Sequence, residues 1–272
     1  MVIKVSLLTK PEEMLMAEEV QIDAWGMSER MVTPKDIMIA IQSNGGIVLG
    51  AFDGERMVGF SVSFPGFKHG KLYLYSHQTG VIKDYQSRGV GYLLKQEQRK
   101  LALAAGMDLV VWTFDPLIVR NLYFNLNKLG GVARNYLIDY YGPMADSINT
   151  GWPTDRVLAE WFIDSVFDNT RKPPMNTEPF RPIVKKGPPP FERCVDWSID
   201  TSVEAVLVDL PIDIVRLKES NREEALRWRE ASREVYRGYF SRGFAAVSVL
   251  RDGPACLLLK AKLPSNLFAS FA

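Results

Sequence analysis

Residues Gln86-Ser87-Arg88-Gly89-Val90-Gly91 could do chemistry by type and spacing. They lie between a strand pattern and a helix pattern. Leu72, Leu74 and Ser76 alternate with Tyr73, Tyr75 and His77, which suits a two-faced strand. Val90, Leu93, Leu94, Leu101 and Ala104 recur at helical spacing, and Gly106 stops that helix. The first N–H groups of a helix have no partner within it, and the helix dipole adds positive character there. Glycines remove side chains that would block a bulky anion. Such a turn suits phosphate or pyrophosphate, and Arg88 adds charge at its rim. The same turn also serves in proteins with no ligand there. The spacing is neither a P-loop nor the dinucleotide fingerprint.

The elements that must position this turn are legible on both sides. Ile3 to Leu8 reads as a strand, and Pro11 to Trp25 as a helix ended by Gly26. In that helix Met14, Ala17, Val20, Ile22 and Trp25 share a face. Thr33-Pro34 starts a second helix that runs to about Gln42. Asp53-Gly54 joins two hairpin strands, Gly46 to Phe52 and Arg56 to Phe64, and residues 65–70 read as a loop. After the turn come a strand at Leu109–Phe114 and a helix from Pro116 to Leu129. Strands at Val132–Tyr141 and Arg156–Ser165 follow. The connection between those two strands is longer than a hairpin needs.

Residues 171–191 carry seven prolines and read as a linker or an extended wrapping segment. Beyond it the pattern gives a strand at Ala205–Leu210, a helix at Asn221–Phe240, and two strands around Asp252-Gly253-Pro254. The expected division is 1–168, a linker at 169–194, and a smaller α/β unit at 195–272. That last unit reads either as a degenerate half-repeat extending the sheet or as an unrelated cap. The fold class is α/β with a mixed sheet.

Length, charge and cysteine content narrow the function. The 272 residues are 47% hydrophobic and 24% charged, ordinary for a globular protein. A net charge of +1 makes no electrostatic case for nucleic acid or an anionic membrane. No stretch is apolar for long enough to span a bilayer, and the N-terminus does not read as a signal peptide. Cys194 and Cys256 are far apart and form no metal signature or disulfide framework. The expected setting is cytoplasmic.

The Gln-x-x-Gly-x-Gly turn, with Val81-Ile-Lys-Asp-Tyr before it, resembles motif A of the GNAT (Gcn5-related N-acetyltransferase) superfamily. The resemblance extends to Asn44–Gly54, Tyr75–Val81, Trp112–Leu117, Asn125–Gly130 and Pro153–Trp161, and so to nearly the whole chain. It is closest to a subgroup with an additional C-terminal region. The resemblance implies an acyl-CoA N-acyltransferase fold, acetyl-CoA or another acyl-CoA as cofactor, and an amine acceptor, either a small molecule or a peptide. It implies that Gln86, Ser87, Arg88, Gly89, Val90, Gly91 and Tyr92 surround the pyrophosphate. Gly80 and Val81 would pair with the pantetheine arm, and Asn121 is taken with them as cofactor-binding. A homodimer is a further expectation. The rival reading is a CoA-binding sensor or interaction protein on the same scaffold.

Catalytic residues are harder to place. Many members carry an Asn early in the second core helix and a Tyr seven residues later that protonates the leaving thiolate. Aligned on Lys128-Leu129-Gly130, those positions hold Val119 and Leu126, which transfer no protons. His77 has the right ordinary pKa for a general base, although a strand histidine is also commonly structural. Asp115 ends a strand facing the cleft on the family's pattern, and before Pro116 it also reads as a helix cap. Tyr140, with Tyr136 and Tyr141, is a candidate thiolate proton donor or a packing aromatic. Glu160 is a further base candidate in a largely apolar strand, and Trp25 a substrate wall or core residue.

Overall fold

The computed structural model describes residues 2–144, 150–164, 184–186, 194–197, 199, 202–250 and 255–269. They form two compact units. The first comprises Met1–Trp112 with Pro143–Trp152 and Phe162–Ser165; the second comprises Thr113–Gly142, Pro153–Trp161 and Val166–Ala272. The fold is mixed α/β.

The first unit opens with β1 (Ile3–Leu7), α1 (Pro11–Trp25) and α2 (Lys35–Ser43). Helix α1 starts where its sequence says it should. Pro11 occupies the first turn, and the Glu13 carboxylate accepts hydrogen bonds from the N–H groups of Thr9 and Lys10. Gly26 ends it at φ 63°. Strands β2 (Ile47–Asp53), β3 (Arg56–Lys68), β4 (Lys71–Val81) and β5 (Leu109–Phe114) follow, with a short 3₁₀ turn at Lys83–Tyr85 and α3 (Val90–Ala104) between the last two. Strand order is β1-β2-β3-β4-β5. The first four are antiparallel neighbours and β5 joins β4 in parallel. Val58, Phe60, Val62, Leu74, Leu94, Val110 and Val111 are wholly buried and form its core.

Strand β3 runs past the predicted loop at 65–70. Its pairing with β2 ends at Ser63 while its pairing with β4 continues to Lys68, so Pro65 loses nothing by lacking an N–H on the β2 side. The buried face of α3 also differs from the predicted stripe. It consists of Val90, Leu94, Lys95, Gln98 and Ala102, while Leu93 is 40% exposed. In α1 the buried residues are Met14, Ala17, Val20 and Gln21, and Ile22 is exposed.

The second unit contains α4 (Val119–Leu122), β6 (Val132–Leu137) and β7 (Arg156–Phe162). It continues with β8 (Val184–Lys186), β9 (Cys194–Trp197), β10 (Ala205–Asp209), α5 (Ile214–Ser220), α6 (Arg222–Phe240), β11 (Phe244–Leu250) and β12 (Ala255–Lys260). Strand order is β7-β6-β11-β12-β10, with β8 and β9 as a separate pair. Ala246 of β11 pairs with Ala133 of β6, so the C-terminal strands extend the ladder begun by β6 and β7. Helix α6 buries Ala225, Trp228, Ala231, Val235, Tyr236 and Tyr239. Asn221 caps it by accepting from the Glu224 N–H, and Asp213 caps α5, a helix the sequence reading missed. Most of the proline-rich segment and the turn at 252–254 lie outside the described residues. Cys194 and Cys256 are buried.

The single helix predicted from Pro116 to Leu129 is divided. After α4 the chain widens into a π-helix at Tyr123–Lys128, where the Leu129 N–H donates to Phe124 O at 3.0 Å. Within that stretch Asn127 presents its carboxamide to β11, accepting from the Val249 N–H at 2.9 Å and donating to Val249 O at 3.2 Å. A side chain here imitates one rung of a strand ladder.

Candidate functional site

The candidate site lies where the register between β4 and β5 ends. Their parallel register holds at Leu74–Val110 and Tyr75–Val111. On its other edge β4 stays paired with β3 throughout, except at one bulge. Val62 faces Gln78 and Ser63 faces Ser76, which leaves His77 as the extra residue. A bulge bends its strand and re-aims a side chain. Beyond Tyr75, then, β4 carries its bulge just past the last residues in register with β5.

The turn after β4 is shaped for an anion. Ser87 stands at φ 63° and Gly89 at φ 86°, two left-handed residues flanking Arg88. Alternation of this kind gathers backbone N–H groups into a concavity. Gly89 is the N-cap of α3 and supplies no side-chain cap, so the first N–H groups of the helix, from Val90, Gly91 and Tyr92, remain for a ligand. An added Cβ at Gly89 would meet nothing within 4 Å, so its positive φ, not crowding, is what calls for glycine. Ser87 and Arg88 are exposed, and the Arg88 guanidinium lies 5.2 Å from the Tyr85 ring centroid. Gln86 does not face outward: its Nε2 donates to Val81 O at 3.1 Å and ties the turn to the end of β4. Gly80 is required by close approach. A Cβ there would come within 2.7 Å of Phe60 and 3.1 Å of Trp25. Trp25 packs edge-on against Phe60 and is half-buried, a wall over this part of β4.

His77 sits among aromatic rings, 6.2 Å from Phe64 and 6.4 Å from Tyr75 between centroids. His77 is exposed, and partial desolvation lowers its pKa from the ordinary histidine value, which favours the neutral imidazole. The α3-facing side of β4 holds a polar cluster that the sequence reading did not find. Lys95 Nζ donates to Ser76 Oγ at 2.7 Å, Gln98 Nε2 donates to Ser76 Oγ at 3.0 Å, and Gln98 also reaches Ser61 Oγ at 3.1 Å. Lysine and glutamine normally mark the solvent face of a helix, so their burial leaves no mark in the hydropathy pattern.

The remaining candidates belong to the second unit, and there they are engaged in holding it together. Asp115 does cap the following turn, accepting from the Leu117 N–H at 2.8 Å. Its carboxylate is also paired, fork to fork, with Arg229 of α6 at 2.9 and 2.5 Å. Glu160 is buried and bidentate to Arg134 at 2.6 and 2.8 Å, which removes it as a free base. Tyr136 Oη donates to Asp155 at 2.8 Å, and Arg233 holds both oxygens of the same carboxylate at 2.9 Å. Tyr140 is not in a strand. β6 ends at Leu137, because Asp139 turns the chain at φ 45° and accepts from the Thr154 N–H. Tyr140 is 40% exposed there, edge-on to Tyr141 at 4.7 Å. Asn121 lies in α4, its N–H bonded to Ile118 O at 2.9 Å. Leu126 is buried at 3% exposure. Among the described residues, no group of three or more His, Cys, Asp or Glu is placed to hold a metal ion. No helix among them is long and apolar enough to cross a membrane.

No protein-family model matches the sequence, and no curated protein matches it. Solved structures that resemble the chain include acetyltransferases. The ribosomal-protein-S18-alanine N-acetyltransferase of Escherichia coli is 15% identical with TM-score 0.48, over 62% of this chain and 98% of that one. Aminoglycoside 6'-acetyltransferase type Ii is 15% identical with TM-score 0.46, over 60% and 98%. A GNAT-family acetyltransferase of Elizabethkingia anophelis, solved with acetyl-CoA bound, is 15% identical with TM-score 0.44, over 59% and 97%.

Proposed function

We propose that the protein binds acyl-CoA along β4 and transfers the acyl group, an acetyl group by preference, to an amine. The observation that carries this reading is the stretch of β4 past its register with β5, running directly into a turn with two left-handed residues and an uncapped helix N-terminus. A pyrophosphate matches the turn, and an amide-bearing arm matches a strand edge. Arg88, Gly89, Val90, Gly91 and Tyr92 would hold the pyrophosphate, with Gly80 and Val81 alongside the arm. Gln86 acts by fixing the turn to Val81.

Transfer would proceed by direct attack of the acceptor amine on the thioester carbonyl. Backbone N–H groups on the β4 edge would stabilise the charge that develops on the carbonyl oxygen. Holding both reactants in one cleft supplies much of the remaining acceleration. His77, its neutral form favoured by partial desolvation and displayed by the bulge, is the base in this reading. Asp115, already paired with Arg229, has no step, and neither has Tyr140.

A second reading, a CoA-binding protein without transferase activity, draws on one observation. The position of the family's proton-donating tyrosine holds Leu126, which is apolar and buried. An acceptor screen separates the two readings. The protein would be incubated with acetyl-CoA and a panel of primary amines, including N-terminal peptides and amino sugars, and thiol release followed. Amine-dependent release that falls at least tenfold in His77→Ala supports transfer, within the usual reach of general-base catalysis. Saturable CoA binding with no release for any amine supports the second reading.

A further inference from the structure

Lys95 projects from α3 to the place where the register between β4 and β5 ends. The last residues in register are Tyr75 and Val111, so Ser76 and Trp112 are the first positions past that end. The Lys95 amine touches both, at 2.7 Å from Ser76 Oγ and 4.0 Å from the centroid of the Trp112 ring. Gln98 Oε1 lies 3.3 Å away. The residue is 4% exposed, and among the described residues no carboxylate pairs with it. A methionine or leucine would fill this space without the cost of desolvating an amine.

The geometry points to Lys95 as an internal acyl acceptor, a lysine that takes the acyl group from an acyl-CoA thioester lying along β4 and becomes an Nε-acyl-lysine. This inference rests on the acyl-CoA reading given above. Ser76 directly precedes the bulged His77, so a thioester laid on the β4 edge from the turn toward Ser76 ends beside this amine. Burial pushes the Lys95 pKa down to about 7, so a large share of the side chain is the neutral nucleophile near neutral pH.

The step balances without any further reagent. The amine nitrogen attacks the thioester carbonyl carbon, a C–N bond forms, and the C–S bond breaks with its electron pair leaving on sulfur. The proton lost by nitrogen passes to the thiolate, giving free CoA and a neutral amide. The desolvation that opposes an ammonium here does not oppose an amide. Ser76 and Gln98 both offer hydrogen-bond donors to its new carbonyl.

The test uses the full-length protein incubated with acetyl-CoA, digested, and mapped by mass spectrometry. The expected result is one acetyl group on Lys95, acquired faster than on exposed lysines such as Lys100, and suppressed by excess CoA. In Gly89→Asp the modification is lost. In Lys95→Met the added mass disappears while calorimetry still shows CoA binding, which keeps the test independent of how the Gly89 variant folds. Acetic anhydride, which needs no binding site, labels Lys100 before Lys95. Wild-type protein that binds CoA but leaves Lys95 unmodified overturns this inference and leaves the acyl-CoA reading standing. Equal modification of Lys95 in wild type and in folded Gly89→Asp also overturns it. Wild-type protein that binds no CoA overturns both.

Discussion

The second unit and the turn at 86–91 use polar groups differently. In the second unit the charged side chains are spent on one another: Asp115 on Arg229, Asp155 on Arg233 and Tyr136, Glu160 on Arg134. In the first unit the turn at 86–91 leaves helix N–H groups uncapped, and the register of β4 with β5 ends at Tyr75. The contrast teaches that an acidic residue type at a promising position in the sequence does not by itself mean a carboxylate free to act. Asp115 and Glu160 read from sequence as candidate bases, and both are tied into bidentate arginine pairs. Chemistry belongs where bonding capacity is left over.

The comparison breaks most visibly at the Asp115–Arg229 pair. Arg229→Met leaves a buried carboxylate uncompensated and should cost about 3–5 kcal/mol in chemical denaturation. Asp115→Asn should likewise destabilise the fold. A stable Asp115→Asn protein that has lost activity alone would return Asp115 to the catalytic list.

Tyr136→Phe removes a hydrogen bond to a charged group and should cost about 1.5–3 kcal/mol. Desolvation pushes the Asp155 carboxyl upward, but the hydrogen bonds from Arg233, Tyr136 and the Asp139 N–H outweigh it and hold its pKa below 3.8. Its contribution is therefore complete above the ordinary aspartate value and is lost as pH falls through the lower folded value. An acid titration of wild type against Arg233→Ala should show the variant unfolding at higher pH.

Lys95 has the same sign from a different cause, the desolvation of its ammonium. Its folded pKa of about 7 lies below the unfolded 10.5, so between those values the unfolded chain holds more protons. Stability relative to Lys95→Met should rise with pH across that window, by about 1.4 kcal/mol per pH unit. A flat difference would mean that the ammonium is solvated. The smallest effect is expected at Lys71–Asp108, a pair whose side chains are 35% and 47% exposed. Lys71→Ala should change stability by less than about 1 kcal/mol.

Much of this architecture is legible in the sequence, because local signals and tertiary structure agree there. Pro11 and Gly26 bound α1, Asp53-Gly54 marks the hairpin, and Gly106 ends α3. The turn at 86–91 is legible because glycine spacing reports backbone geometry directly. Other features depend on partners distant in sequence. The division of the 116–129 helix goes with Asn127 bonding Val249, more than a hundred positions away. Lys95 and Gln98 carry solvent-type side chains on a buried face, since Ser61 and Ser76 wait for them across the sheet. The Asp115–Arg229 pair joins residues that no local pattern relates.

Calorimetric titration of CoA and acetyl-CoA into wild type and Gly89→Asp tests the central claim most directly. The account predicts saturable one-site binding to wild type. It predicts loss of at least about tenfold in affinity for the variant, since the new carboxylate opposes the pyrophosphate at the positive end of α3, a change of about 1.4 kcal/mol or more. Gly89→Ala, which adds the backbone strain of φ 86° without the charge, should bind more tightly than Gly89→Asp. Wild-type protein that binds neither ligand, or a folded Gly89→Asp protein that binds both as wild type does, would contradict the account.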